Sequence, residues 1–360
     1  MSSILIWGLT ESLGGVERYI TDRLPLFQTQ YDEVYFGFGA GIGSDIQWSA
    51  LLKKDYIHTC YFPRLSNPRL YYNEIVQFLK EKQINTVYCN LGFANGILYK
   101  AIKAGGAKLI VHAHNTRIDV NSTKKRGALI CYHYLSRALF DNLIDEKYAC
   151  STEAGKWVFS NDNFKIKKNA IDLTAYRYNP SVRDEVRKEF HLTPDTFVIG
   201  HVGRFSYQKN HEFLLRLFSR LVKEHPNSLL MLIGTGEKFA EMQSLAHSLE
   251  VEPNVLFLGL RKDVNRLMQA MDCFVLSSRF EGLPVVGIEA QAAALPCFFS
   301  DAISRELLIT NEAICFSLSE DIDALAELIY QSVSSYVRRD NADIIAKSGY
   351  DLNEELKNLD

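Results

Sequence analysis

The chain has 360 residues, enough for about two domains at roughly 150 residues each, and its 47% hydrophobic, 12% aromatic and 23% charged content is globular, which excludes collagen-like, disordered and coiled-coil classes. Seven scattered cysteines (Cys60, Cys89, Cys131, Cys150, Cys273, Cys297, Cys315) with no CxxC pair argue against a disulfide framework or a zinc site and for a reducing compartment. The net charge of −3 divides unevenly: residues 1–168 carry 21 Lys and Arg against 15 Asp and Glu, a balance of +6, and the remainder 19 against 28, a balance of −9.

Taken in chain order, short β-branched and aromatic runs at Ile4–Trp7, Val34–Phe38, Ile57–Phe62, Thr86–Cys89, Lys108–His112 and Lys147–Cys150 alternate with stretches of helical period. Such alternation predicts a parallel sheet. The N-terminus has no basic region before its short apolar run, and nowhere do 18 uncharged apolar residues follow one another, so a soluble, cytoplasmic protein is expected. The glycine-rich run from Gly37 to Gly43 reads as a flexible loop, because no clear helix follows it. The polar, turn-rich stretch from Asn169 to Pro180 reads as the junction. Beyond it a second α/β series follows: Phe197–Val202, Leu229–Ile233, Val255–Leu258, Cys273–Leu276, Pro296–Phe299 and Ala313–Phe316. The expectation is two doubly wound domains, 1–168 and 169–345, facing across a cleft, with a C-terminal helix at about 346–360 packing back on the first.

Four segments at predicted strand ends carry chemistry. Gly14-Gly15-Val16-Glu17-Arg18 opens a helix after the first strand, either as a tight turn or as an anion seat with its N–H groups bare. His112-Ala113-His114-Asn115 ends the fifth strand with both histidines on one face; hydrogen bonding, acid/base work or a satisfied buried position all fit. Val202-Gly203-Arg204-Phe205 runs into Gln208-Lys209-Asn210, setting a planar fork and a point cation where a departing diphosphate needs them. Finally, Glu281-Gly282-Leu283-Pro284 leads through a helix start, with Pro284 in its first turn, to Glu289; two carboxylates eight residues apart can clamp separate hydroxyl groups.

These segments, with Cys150-Ser-Thr-Glu-Ala154, Asn169-Ala-Ile-Asp172 and Gly234-Thr235-Gly236, resemble in order and spacing the family 4 retaining glycosyltransferases, whose fold is GT-B. The resemblance covers residues 1 to about 310 and departs from the common pattern at Asn169-Ala170 and at Gly282-Leu283. It implies transfer of a hexose or N-acetylhexosamine from a nucleoside diphosphate sugar, by family habit UDP, with retention at the anomeric carbon and no bound metal or other cofactor. Carried over by position, Arg204 and Lys209 would stand together against the diphosphate, Glu281 would bind hydroxyls of the transferred sugar and Glu289 the ribose. Gly15, Gly203, Gly234, Gly236, Gly282, Leu283 and Pro284 would approach the donor, Arg261 and Val264 would flank the base, and His114 would face the sugar from the opposite domain. No side chain is an evident covalent nucleophile. Members with such patterns resemble bacterial capsule and exopolysaccharide enzymes acting on undecaprenyl-linked saccharides at the inner membrane face. On the acceptor or membrane side, Glu17, His112, Asn115 and the basic Lys124-Lys125-Arg126, followed by an aromatic segment, fit an anionic lipid surface and no nucleic acid, while an inward-packing domain helix is the other reading of that segment. A sugar-nucleotide epimerase or hydrolase of the same fold is the alternative activity.

Overall fold

The computed structural model describes residues 2–10, 14–39, 54–118 and 123–357. The chain divides into two compact units, Met1–Asn169 and Ala170–Asp360.

In the first unit the elements are β1 (Ser3–Trp7), α1 (Gly15–Asp22), α2 (Leu24–Gln30), β2 (Glu33–Gly39), β3 (Ile57–Phe62), α3 (Pro68–Glu81) and β4 (Thr86–Leu91). Then come α4 (Gly96–Gly105), β5 (Lys108–Ala113), α5 (Thr123–Phe140), β6 (Glu146–Ala149), α6 (Thr152–Val158) and β7 (Lys165–Ile166). The strands form one parallel sheet in the order β3-β2-β1-β4-β5-β6-β7. β1 and β4 are buried at every residue, as a parallel sheet covered on both faces requires. Asn67 and Asn95 start α3 and α4 by accepting from the N–H groups of Leu70 and Leu98. One core of this unit packs Ile4, Ile6, Tyr19, Val34, Phe36 and Tyr88.

The loop reading of the glycine run is corrected at its start: Gly37, already inside the run Val34–Phe38, and Gly39 both belong to β2; Ala40 to Gly43 lie outside the described residues. A Cβ on Gly37 would stand 3.1 Å from the Trp7 ring, 3.2 Å from Leu5 and 3.3 Å from Phe62, so glycine there makes room for crowded neighbours on the sheet.

In the second unit come α7 (Leu173–Tyr176), α8 (Pro180–Glu189), β8 (Phe197–Val202), α9 (His211–Glu224), β9 (Ser228–Ile233), α10 (Phe239–Ser248), β10 (Val255–Phe257) and α11 (Val264–Ala270). They are followed by β11 (Cys273–Leu276), α12 (Val285–Ala292), β12 (Cys297–Ser300), β13 (Ala313–Phe316), α13 (Ile322–Ser334), α14 (Ala342–Lys347) and α15 (Leu352–Lys357). Its sheet is again parallel, in the order β10-β9-β8-β11-β12-β13. The stretch read as a junction is structured: Leu173 and Tyr176 of α7 are buried, and Ile171 bridges to Asp351 within the same unit. The C-terminal stretch is two short helices with a break between them. Pro284 is the cap before α12, in extended backbone, rather than a residue of its first turn. In each sheet the winding reverses beside the first strand, between β1 and β4 and between β8 and β11. Ligands of doubly wound sheets sit outside the carboxyl ends of the strands at such points.

Candidate active site

Three loops meet at the carboxyl end of the second sheet. The loop leaving β8 carries Gly203, Arg204 and Phe205, and it is held flat against the loop leaving β9. The Phe205 N–H donates to the Thr235 carbonyl at 2.9 Å and the Lys238 N–H to the Phe205 carbonyl at 3.0 Å. Gly234 has φ +136°, and a Cβ there would lie 2.1 Å from the Gly203 carbonyl oxygen; one on Gly236 would lie 2.5 Å from that of Phe205. These glycines permit backbone to pass against backbone.

The third loop, leaving β11, is stitched to the first. Ser277 Oγ donates to the Asn210 carbonyl at 3.1 Å, the Arg279 N–H to the Gln208 carbonyl at 2.7 Å, and Gln208 Nε2 to the Phe280 carbonyl at 3.1 Å. That places Lys209 Nζ 2.6 Å from Glu281 Oε1, with the two side chains only 15% and 10% exposed. Ser278 Oγ donates to the same carboxylate oxygen at 3.1 Å. Gly282, Leu283 and Pro284 are buried beyond it, and α12 begins with no side-chain cap, leaving N–H groups of its first turn for an anion. Glu289, inside α12, is buried and accepts from the Tyr176 hydroxyl at 2.7 Å.

The two cations read as standing together are held by different carboxylates. Lys209 has Glu281, whereas Arg204, 66% exposed, pairs with Glu237 at 3.2 Å. Each has taken a neighbouring counter-charge supplied by loop geometry that the linear spacing does not show. Arg261 grips Asp263 through two bonds of 2.8 Å, which lowers the Asp263 carboxyl below its ordinary range, and Val264 opens α11 directly after it.

In the first unit, His112 is fully buried at the end of β5, its Nδ1 2.9 Å from the Tyr88 hydroxyl, and loss of hydration holds it well below the ordinary histidine range. His114 is half-buried, its ring 4.0 Å from that of His112 and its Nε2 3.0 Å from Asn90 Oδ1. Asn115 lies half-buried beside Gly92. Gly15 starts α1 in an exposed position. Glu17 is turned onto its own helix start: its carboxylate accepts from the Thr10 N–H at 2.7 Å, the Thr10 hydroxyl at 2.9 Å and the Gly14 N–H at 3.0 Å. Burial raises its pKa, against the pull of those bonds. These contacts give Glu17 a capping role at the start of α1.

Lys124 and Lys125 are exposed and Arg126 half-buried at the start of α5. One face of this helix continues exposed through Cys131, Tyr134, Leu135 and Leu139, the two leucines each 61% exposed, while His133 and Ser136 are buried. Leu129, Ile130, Tyr132 and Phe140 of the same helix are half-buried, so one side of it packs inward while the other is exposed.

Three supporting residues escaped sequence reading: Tyr176, Ser278 and Asn90. Leu173 and Tyr176, three apart, signalled an apolar helical face inside the polar junction; Asn90 was the polar residue near the carboxyl end of a strand that is otherwise apolar after Thr86. Ser278 had no signal.

Residues 182–348 match the family described as glycosyl transferases group 1. EpsF of Bacillus subtilis, a glycosyltransferase by name, is 31% identical over 313 residues, covering 82% of this chain and 79% of that protein. The UDP-Gal:alpha-D-GlcNAc-diphosphoundecaprenol alpha-1,3-galactosyltransferase of Escherichia coli is 26% identical, over 69% of this chain and 66% of that one. Among solved structures, Anabaena HepE in complex with UDP-glucose superimposes with a TM-score of 0.78 at 20% identity, covering 100% of this chain and 99% of that one. The fold is GT-B, built of two parallel-sheet α/β domains.

Proposed function

Because the chain belongs to the glycosyl transferases of group 1, we propose that it moves a hexose or N-acetylhexosamine from a UDP-sugar to a lipid-linked saccharide in cell-surface polysaccharide assembly, with retention at the anomeric carbon. The observation that carries this reading is the Lys209–Glu281 pair at the β8/β11 reversal, backed by Gly234 and the uncapped start of α12. Lys209 and Arg204 stabilise the charge that grows on the departing diphosphate. Glu281 and Glu289 accept from hydroxyls of the sugar and the ribose. The bond from the anomeric carbon to the phosphate oxygen breaks as the bond to the acceptor oxygen forms on the same face, and the acceptor's proton ends on the leaving phosphate. The UDP donor and the undecaprenyl-type acceptor are supported by the names of the relatives.

Thermal unfolding tests the donor. UDP at about 100 times its Kd is expected to stabilise the native state by about 2.7 kcal/mol, GDP by far less, and the UDP shift is expected to persist in EDTA, since the cations Arg204 and Lys209 take the place of a metal. A shift with GDP alone overturns the base assignment; loss of both the UDP shift and transfer in EDTA, restored by magnesium, overturns metal independence. Incubation of the UDP-sugar with no acceptor is expected to return it unchanged, and an epimerised sugar would favour the alternative activity.

For location, the basic start and exposed apolar face of α5 fit peripheral attachment to an anionic membrane at its cytoplasmic face. No helix among the described residues is long and apolar enough to cross a membrane. At about 1 kcal/mol per basic residue near the surface, attachment is expected to be reversible and to weaken with salt. Sedimentation with anionic vesicles checks it, and Lys124, Lys125 and Arg126 replaced together are expected to abolish it. Equal binding to neutral vesicles would remove the electrostatic part of the reading.

A further inference from the structure

The two neighbours of the Asn90 side chain fix its orientation by chemistry alone. The Trp7 carbonyl, 3.1 Å from Nδ2, can only accept, so the amide NH2 must face it. Oδ1 is thereby turned to His114 Nε2 at 3.0 Å, and an amide oxygen can only accept as well. The backbone leaves Asn90 no other place. It is buried, paired in register with His112 across β4 and β5, and a Cβ on Gly8, where φ is +90°, would lie 2.0 Å from the Asn90 carbonyl oxygen.

We propose that Asn90 is a positioning residue that holds the ring proton of neutral His114 on Nε2 and so presents Nδ1 as an acceptor for one hydroxyl of a substrate saccharide. The inference rests on the transferase reading for its substrate class, and on the hydrogen bonds alone for the tautomer. His114 Nδ1 makes no other hydrogen bond among the described residues.

The surroundings keep the ring neutral. The charged groups acting on the two histidines are Arg23, from the turn between α1 and α2, and Lys167, following β7; both are positive and oppose a further positive charge. The other titratable neighbours are Tyr19 of α1, Tyr88 of β4, Tyr148 of β6 and the Cys150 thiol, which donates to the His114 carbonyl, with His112 on the same strand. Burial and Arg23 together push His114 down to about 3. Across the physiological range Nδ1 therefore accepts and never donates, so it rewards a hydroxyl and offers nothing to an anionic or deoxygenated group at that position.

The test uses full-length protein labelled with nitrogen-15 in histidine, the His114 signals identified by their loss in His114→Gln. The expected spectrum shows a pyridine-type Nδ1 and a pyrrole-type Nε2, unchanged between pH 5 and pH 8; a pyrrole-type Nδ1 overturns the proposal whatever the enzyme does. Asn90→Asp places a carboxylate against Nε2, which is expected to raise the ring's pKa, so that Nδ1 takes a proton on acidification. Its kcat/KM is then expected to fall about tenfold per pH unit below the new pKa, where the parent profile is flat. Asn90→Ser, whose shorter hydroxyl withdraws the amide oxygen from Nε2 without adding charge, is expected to give mixed tautomers and a lower kcat/KM without the new acid limb, covering the case in which Asn90→Asp does not fold. An Asn90→Ser enzyme with parent tautomer and parent kcat/KM overturns the positioning role. If the parent protein transfers no sugar from any UDP-sugar, the transferase reading and the hydroxyl contact both fail, and the tautomer still stands or falls on the spectrum.

Discussion

Lys209→Ala is expected to lower the turnover of sugar transfer by about 10²- to 10³-fold, the effect of removing one preorganised charge from a developing anion. The structure also warns how the experiment can mislead. Lys209 is the ion-pair partner of Glu281, and both are largely shielded from water. Truncating one member of such a pair leaves a shielded carboxylate without its counter-ion, at a cost of about 3–5 kcal/mol in stability. Inactive Lys209→Ala alone would therefore not separate a lost catalytic charge from a loosened loop. Lys209→Ala combined with Glu281→Gln removes the stranded charge and is expected to melt near the parent protein while staying at least as slow as the single variant. Recovery of turnover in the double variant would reject the role given to Lys209. Arg204→Ala is the cleaner companion. Its ion pair with Glu237 is exposed on both sides and contributes about 0–1 kcal/mol, so a large fall in turnover there comes from the reaction and not from the fold.

The difference between these two cations shows what the sequence could and could not convey. Strand ends were legible, because buried parallel strands read as dense apolar runs; β8 was placed at both ends and β3 likewise. Cationic residues just past a strand end were legible for the same reason. Their partners were not, since Glu237 and Glu281 arrive from the loops after β9 and β11, and only folding brings those loops against the one that follows β8. Tyr176 was missed by a related route: turn-forming residues around it hid a helix of four residues whose buried face holds Glu289. β7 is two exposed residues long, too short for any period to register. Gly37 was read both into the strand Val34–Phe38 and into the glycine-rich loop; the crowding of Trp7, Leu5 and Phe62 around its Cβ position suits the strand.

Gly234→Ala is expected to have the largest effect on the second unit. Two costs combine at that residue. Its φ of +136° lies where L side chains are strained, at about 1–3 kcal/mol, and the added methyl would sit 2.1 Å from the Gly203 carbonyl oxygen, a backbone atom that cannot rotate away. Relief requires the loops after β8 and β9 to separate. That breaks the Phe205 N–H bond to Thr235 and shifts the chain carrying Arg204. The expected result is a Tm lowered by roughly 6–12 °C for a loss of about 3 kcal/mol, together with a much weaker stabilisation by UDP. Gly259→Ala separates strain from collision, because Gly259 also has positive φ, +63°, yet nothing lies within 4 Å of its Cβ position. That variant is expected to lose only about 1–2 kcal/mol and to retain its response to UDP. If Gly234→Ala melts with Gly259→Ala and responds to UDP as the parent does, the close approach at Gly203 is not what shapes the donor loop.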